Sequence, residues 1–137
     1  MKCADRSRNL LGCGLLILAG LITSSLASAV EPAKSQKTEL AKTEYPTGYV
    51  TQVFRTEIPA KAQAPLHTHP GIESGYILEG GGTLYIDGRA PIEMKPGMTT
   101  IVQPNTQHWF KNGDHKTVIV STYVFEKDKP LMNIIKQ

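Results

Sequence analysis

The sequence predicts an all-β fold, an antiparallel jelly-roll β-barrel or sandwich of small size, on three observations. Short runs of β-forming residues follow one another from Tyr49 to Phe125. Turn-forming Gly, Pro, Asn and Asp residues break those runs at near-regular spacing. No window carries a convincing helical period of apolar residues.

Taken in order, YVTQVFRTEI (49–58) reads as the first strand, followed by AQAPLHTH (62–69) and SGYILEG (74–80). GTLYI (82–86), APIEM (90–94) and TTIVQ (99–103) come next, then HWFKN (108–112) and TVIVSTYVF (117–125). Gly80 to Gly82, Asp87-Gly88 and Lys95-Pro96-Gly97 supply the turns, Asp87-Gly88 being a dipeptide favoured in two-residue hairpins. Eight short strands with no room for a second domain close into one antiparallel container.

The residues ahead of these strands read differently. Lys2, Arg6 and Arg8 form a positive head, Leu10 to Leu26 is almost wholly apolar, and Ala27, Ser28 and Ala29 are the small residues a signal peptidase accepts. The apolar run is interrupted by Thr23, Ser24 and Ser25 and is short for a spanning helix. Residues 1–29 are therefore expected to be a cleaved signal peptide, and the protein to be periplasmic or secreted, with no membrane attachment after cleavage. Both cysteines, Cys3 and Cys13, lie in that segment, so the mature chain is expected to be held by packing and not by disulfides.

Loss of three Lys/Arg and one Asp leaves 12 basic against 11 acidic side chains, a formal charge of +1 in place of +3. No basic stripe remains, which excludes a nucleic-acid partner by charge. The remaining 108 residues are enough for one core but not two. Residues 30–47 are polar and Lys-rich, with too few apolar side chains to pack, and are expected to be mobile or a short arm; the domain proper spans 48–137.

The stretch HTHPGIESGYILEGGG, residues 67–82, carries the chemistry. On a strand, positions i and i+2 share a face, so His67 and His69 project together while Thr68 points away. Pro70 and Gly71 then bend the chain, and Glu73 can return toward the same point. A fourth donor, His108, opens the strand HWFKN some forty residues later. Three imidazoles and one carboxylate suit a single divalent transition metal (Fe, Mn, Co, Ni, Cu or Zn), whereas Mg or Ca would want more oxygen. An ion preferring six ligands would keep two positions open to solvent or substrate. Singly, each residue reads more plainly as a surface or core side chain. Jointly, three of only four histidines fall on one spaced pattern with a Glu, which favours a metal site.

At these positions the chain resembles the cupin family. That family's first motif has two histidines flanking one residue, a glutamate four beyond the second and a glycine seven beyond that; His67, His69, Glu73 and Gly80 match it. Its second motif is matched by Gly97, His108 and Asn112, while Gln103 stands where proline is usual and Asn105 where glycine is usual. Asn tolerates left-handed backbone better than most residues, so the turn at Asn105 is expected to survive. The resemblance covers about Pro59 to Phe125, with a tail, VFEKDKPL, like that of small exported single-domain cupins.

The resemblance implies a substrate-chelating metal site, and cupin dioxygenases, including those acting on flavonols, are its leading functional parallel. Glu73 would then be ligand or catalytic base. A binding or sensor protein for a small carboxylate, sugar or phenolic ligand is the rival reading, and a metal-dependent isomerase or lyase a third; the fold alone does not choose among them. Glu79, before three glycines, reads better as a strand-end charge than as a base, and His115 as part of a charged turn. Gln103 and Gln107 are candidates for orienting His108 or a metal-bound oxygen, or are solvated amides. Among Tyr76, Tyr85, Trp109, Phe110, Tyr123 and Phe125, most are expected in the core or a dimer contact, with one or two lining the pocket.

Arg6 and Arg8 are not adjacent, so export is expected to precede folding and the ion to be loaded outside the cytoplasm, which favours Cu or Zn. A small antiparallel barrel leaves costly edge strands, and the arm before Tyr49 could cover a neighbour's edge, which predicts a homodimer.

Overall fold

The structure, a computed structural model, describes residues 34–136. The expected signal peptide over 1–29 and both cysteines lie outside the described residues. No described helix is long and apolar enough to cross a membrane.

Ten strands form two five-stranded antiparallel sheets, an all-β architecture consistent with a jelly roll. In chain order they are β1 (Gln36–Thr43), β2 (Tyr49–Ile58), β3 (His67–Thr68), β4 (Ile72–Glu79) and β5 (Gly82–Ile86), then β6 (Ile92–Met94), β7 (Thr99–Val102), β8 (His108–Asn112), β9 (Thr117–Glu126) and β10 (Asn133–Ile134). One sheet runs β1-β2-β9-β4-β7 and the other β10-β3-β8-β5-β6. Sequential strands β4 and β5 therefore lie in different sheets, as do β8 and β9.

Alternation along each strand decides what the two sheets bury. On β2, Val50, Gln52 and Ile58 are buried at even positions; on β9, Thr117, Ser121, Tyr123 and Phe125 are buried at odd ones, and Val118 is buried on the opposite face at the strand's start. One apolar cluster, Ile58, Ile77, Leu84, Ile86, Met94, Val102 and Phe110, draws on both sheets. A smaller one joins Val50, Tyr123 and Phe125, with Phe54 and Leu131 against it.

Within the polar lead-in, residues 36–43 pair with β2 of the same chain over Gln36↔Glu57 to Thr43↔Thr51, across one irregularity at Glu39/Ala41. Every residue of β1 is exposed, so no buried apolar face announces it. What holds it is the β2 backbone, together with Glu39 Oε2 accepting from the buried Gln52 side chain at 2.8 Å and Lys37 lying over the Phe54 and Tyr123 rings. This strand caps its own sheet's edge.

The Asp87-Gly88 turn also differs from the two-residue hairpin expected. Arg89 N–H donates to the Ile86 carbonyl at 3.0 Å, and of the two central residues only Gly88 has positive φ, at +73°. Ladder pairing resumes only at Leu84↔Ile92, so the connection is longer and asymmetric. Asn105 does take the left-handed backbone, φ +59°, and follows Pro104 in a turn closed by Thr106 N–H to the Gln103 carbonyl. Pro followed by a positive-φ residue is the signature of a type II turn.

Candidate metal centre

Strand pairing, the facing of the two sheets and the link between β3 and β4 bring the four expected donors together. His67 on β3 sits directly opposite His108 on β8 in one sheet, their ring centroids 4.2 Å apart. Across the interior, Glu73 on β4 sits directly opposite Tyr123 on β9 in the other sheet. His69 lies on the link between β3 and β4, two residues after His67 and buried like it. Gly71 lets that link pass close to β9, where a Cβ would overlap the Val124 carbonyl and Phe125. Donor atoms from His67, His69, Glu73 and His108 all lie within 4.8 Å of one another, close enough to bind one metal ion.

The three rings are oriented by the backbone. His67 Nδ1 is 2.7 Å from the Pro65 carbonyl, His69 Nδ1 is 2.6 Å from the Leu131 carbonyl and His108 Nδ1 is 2.9 Å from the Thr106 carbonyl. A carbonyl only accepts, so each Nδ1 carries a hydrogen, and Nε2 is the nitrogen whose lone pair is offered to a metal once any proton on it is released. Such outer partners fix the tautomer that a metal ligand needs. They also show that backbone carbonyls, and not Gln103 or Gln107, orient the rings; both amides are exposed.

Electrostatics point the same way. Burial pushes His67 down to about 4, with the neighbouring imidazoles adding to the shift and the Pro65 hydrogen bond opposing it, so its ring is neutral at neutral pH. Burial alone would raise Glu73, yet the His108 and Tyr123 hydrogen bonds and the adjacent His69 ring outweigh it and hold the carboxyl well below the usual range. For His108 burial opposes the charged form, and the Glu73 hydrogen bond more than offsets it, raising its pKa. Glu73 Oε2 lies 3.1 Å from His69 Nε2 and 3.2 Å from His108 Nε2. The first of these is only proximity, because His69 Nε2 is buried without a hydrogen-bond partner. An orphaned buried nitrogen aimed at a carboxylate and two other imidazoles is a donor set that fits a divalent ion.

The residue that sequence reasoning did not single out is Tyr123. Its hydroxyl donates to Glu73 Oε1 at 2.8 Å, and its ring packs 4.8 Å from that of His69. Burial, then the adjacent Glu73 charge, pushes the phenol far up, so it stays protonated. Alternation on β9 put Tyr123 on one face with Ser121 and Phe125, but only the β4/β9 register reveals that this face meets Glu73. Glu79 and His115 are exposed and stand apart from the group.

Tyr123→Phe removes the hydrogen bond that orients Glu73 while keeping the ring. Metal affinity is expected to fall by roughly 10- to 100-fold, as for other outer partners of metal ligands. Competition against a chromophoric chelator measures it, and an unchanged affinity would show that Tyr123 does not support the site.

Beside the donors opens a cavity of about 270 Å³. His67, Glu73, His108 and Tyr123 form its polar side, and Ile77, Leu84, Met94, Val102 and Phe110 its apolar wall. One or two aromatic residues were expected to line the pocket, and Phe110 and Tyr123 do.

Comparison with known proteins agrees with this geometry. The family model described as the cupin domain matches residues 54–125, more than half of the chain. No curated protein matches the chain. Among solved structures, a cupin-like protein from Thermotoga maritima superposes with a TM-score of 0.63 at 20% identity, over 75% of this chain and 77% of that one. The polyketide cyclase RemF from Streptomyces resistomycificus gives 0.61 at 18%, over 75% and 72%. The DMSP lyase DddQ from Ruegeria pomeroyi gives 0.63 at 18%, over 73% of this chain and 51% of that one, so this chain spans about half the lyase's length. Likeness at such identities shows a shared fold.

Proposed function

This chain belongs to the cupin family, and from that premise we propose that it is a metal-dependent enzyme that moves a proton on a small, largely apolar substrate. The observation that carries this reading is the arrangement of Glu73. One carboxylate oxygen faces the imidazoles and the other is held by the Tyr123 phenol, at the wall of an apolar cavity. A divalent ion held by His67, His69, Glu73 and His108 would supply Lewis acidity to an oxygen of the substrate.

The chain's own residues do the rest. The apolar wall excludes water and positions the body of the substrate. Glu73, a weak base because its pKa is lowered, would accept through Oε1 only a substrate proton that is already acidic, and the Tyr123 hydroxyl, bonded there, keeps the carboxylate aimed at the cavity. Such a pair supports metal-dependent lyase or isomerase chemistry. Names of structural neighbours, a DMSP lyase and a polyketide cyclase, lie within the same broad class.

Dioxygenase chemistry is the second reading. A dry apolar wall is a suitable place for O₂, and Glu73 would again take a proton from a chelating substrate hydroxyl. The experiment that decides incubates the metal-loaded protein with a panel of phenols and small carboxylic acids, in air and under argon, and follows substrate by NMR with an oxygen electrode in parallel. Turnover under argon, abolished by a chelator and restored by metal, is the expected result. Turnover only in air, with O₂ uptake, would replace it with the dioxygenase reading. Binding without turnover in either condition would leave a binding or sensor protein.

A further inference from the structure

Lys37 comes from the exposed strand β1, yet its ammonium does not point to solvent. Lys37 lies on the cavity side of β1, opposite Thr56 of β2, and Lys37, Thr56 and Ser35, the residue just before the strand, all line the cavity. Lys37 Nζ donates to Tyr123 Oη at 3.2 Å and sits 4.5 Å from the Phe54 ring centroid and 4.3 Å from that of Tyr123. Its charge is thus carried to the hydroxyl that holds Glu73.

Two further facts make this placement unusual. Lys37 is the only Lys or Arg among the described lining residues, where about half of the other side chains are apolar. Like several exposed lysines it forms no ion pair among the described residues, but unlike them it stands at the cavity wall. Burial lowers its pKa and the nearby Glu73 charge opposes that shift. A half-covered cation satisfied by one phenol and two ring faces has donor capacity left, since an ammonium carries three N–H groups.

We infer that Lys37 is a specificity-determining residue that pairs with an anionic oxygen group of the ligand, so that the cavity takes small molecules made of a carboxylate or comparable oxyanion joined to an apolar body. This deepens the reading of the metal centre as a substrate site and rests on it. Apolar contacts hold the body against Ile77, Leu84 and Phe110, while Lys37 reads the charge. The strand that carries Lys37 precedes both cupin motifs, so it lies outside the residues that define the family match.

Benzoate and its neutral isostere benzamide are the probes, and the protein is loaded with Co²⁺ so that the metal content can be read by absorption. Lys37→Met keeps the aliphatic stem and removes the charge. It is expected to weaken benzoate about tenfold, as loss of a charge-assisted hydrogen bond does, and to leave benzamide within about twofold. Lys37→Arg is expected to retain benzoate binding within about threefold. Unchanged benzoate affinity in Lys37→Met, equal weakening of both probes, or no binding of benzoate by the parent protein would each overturn the assignment. Equal weakening would make Lys37 a prop for β1. Failure of the parent to hold Co²⁺ would instead sink the metal reading, and the same comparison on metal-free protein would still test Lys37.

Discussion

His108→Ala should leave a folded protein that no longer retains a divalent metal. His108 is buried, with 3% exposure, and contributes both the Nε2 facing Glu73 and one side of the ring contact with His67. Loss of an outer partner alone costs 10- to 100-fold in affinity, so loss of a ligand is expected to cost more than about 100-fold. Truncation also removes the hydrogen bond that helps to hold Glu73, so the remaining donors lose their shared focus. The cavity created is small and polar, so circular dichroism should stay that of a β protein. Metal content after dialysis, set beside the unsubstituted protein, gives the answer. A fully metallated His108→Ala would refute the four-donor centre, and with it any turnover that depends on it.

Asn112→Ala is expected to carry the largest stability cost among substitutions that leave the four donors in place. Asn112 closes the other end of β8 and is buried to 4% exposure. Its amide nitrogen lies 3.0 Å from the Ile58 carbonyl, 2.6 Å from that of Pro59 and 2.9 Å from that of His115, while its oxygen accepts from the fully buried Thr117 hydroxyl at 2.5 Å. With only two N–H groups, the amide shares its hydrogens among three carbonyls, which ties the end of β2 to the turn between β8 and β9. Alanine leaves those acceptors dry, at about 1–3 kcal/mol for each group stranded, and a total near 3 kcal/mol is expected. Chemical denaturation of the metal-free protein measures it. A loss below about 1 kcal/mol would mean that water takes over the amide's place.

The strands legible in the sequence were those whose side chains alternate or whose ends carry turn residues. YVTQVFRTEI, GTLYI and HWFKN coincide with β2, β5 and β8 to the residue. β1 was not legible because QKTELAKT buries none of its side chains, and β10 because two exposed residues leave no pattern at all. Yet β10 matters, since it pairs with β3 just past Leu131, whose carbonyl orients His69. The His67, His69 and Glu73 positions were legible because a period of two and a bend require only local geometry, and His108, some forty residues on from His67, through the second motif it shares with the family. Tyr123 and Lys37 were not, because their place depends on which strands become neighbours, and register is a property of the whole sheet.

The donors come from both layers of the fold: His67 and His108 from one sheet, Glu73 from the other, and His69 from the chain that crosses between them. An ion seated there would act as a rivet through the sandwich, because neither layer can peel away without breaking coordination. Whatever binds only the native form raises its stability by RT ln(1 + [L]/Kd), so free metal at about a hundred times its Kd would add roughly 2.7 kcal/mol. Heat resistance in this protein would then report how much ion its surroundings supply, and a melting curve would serve as a metal assay.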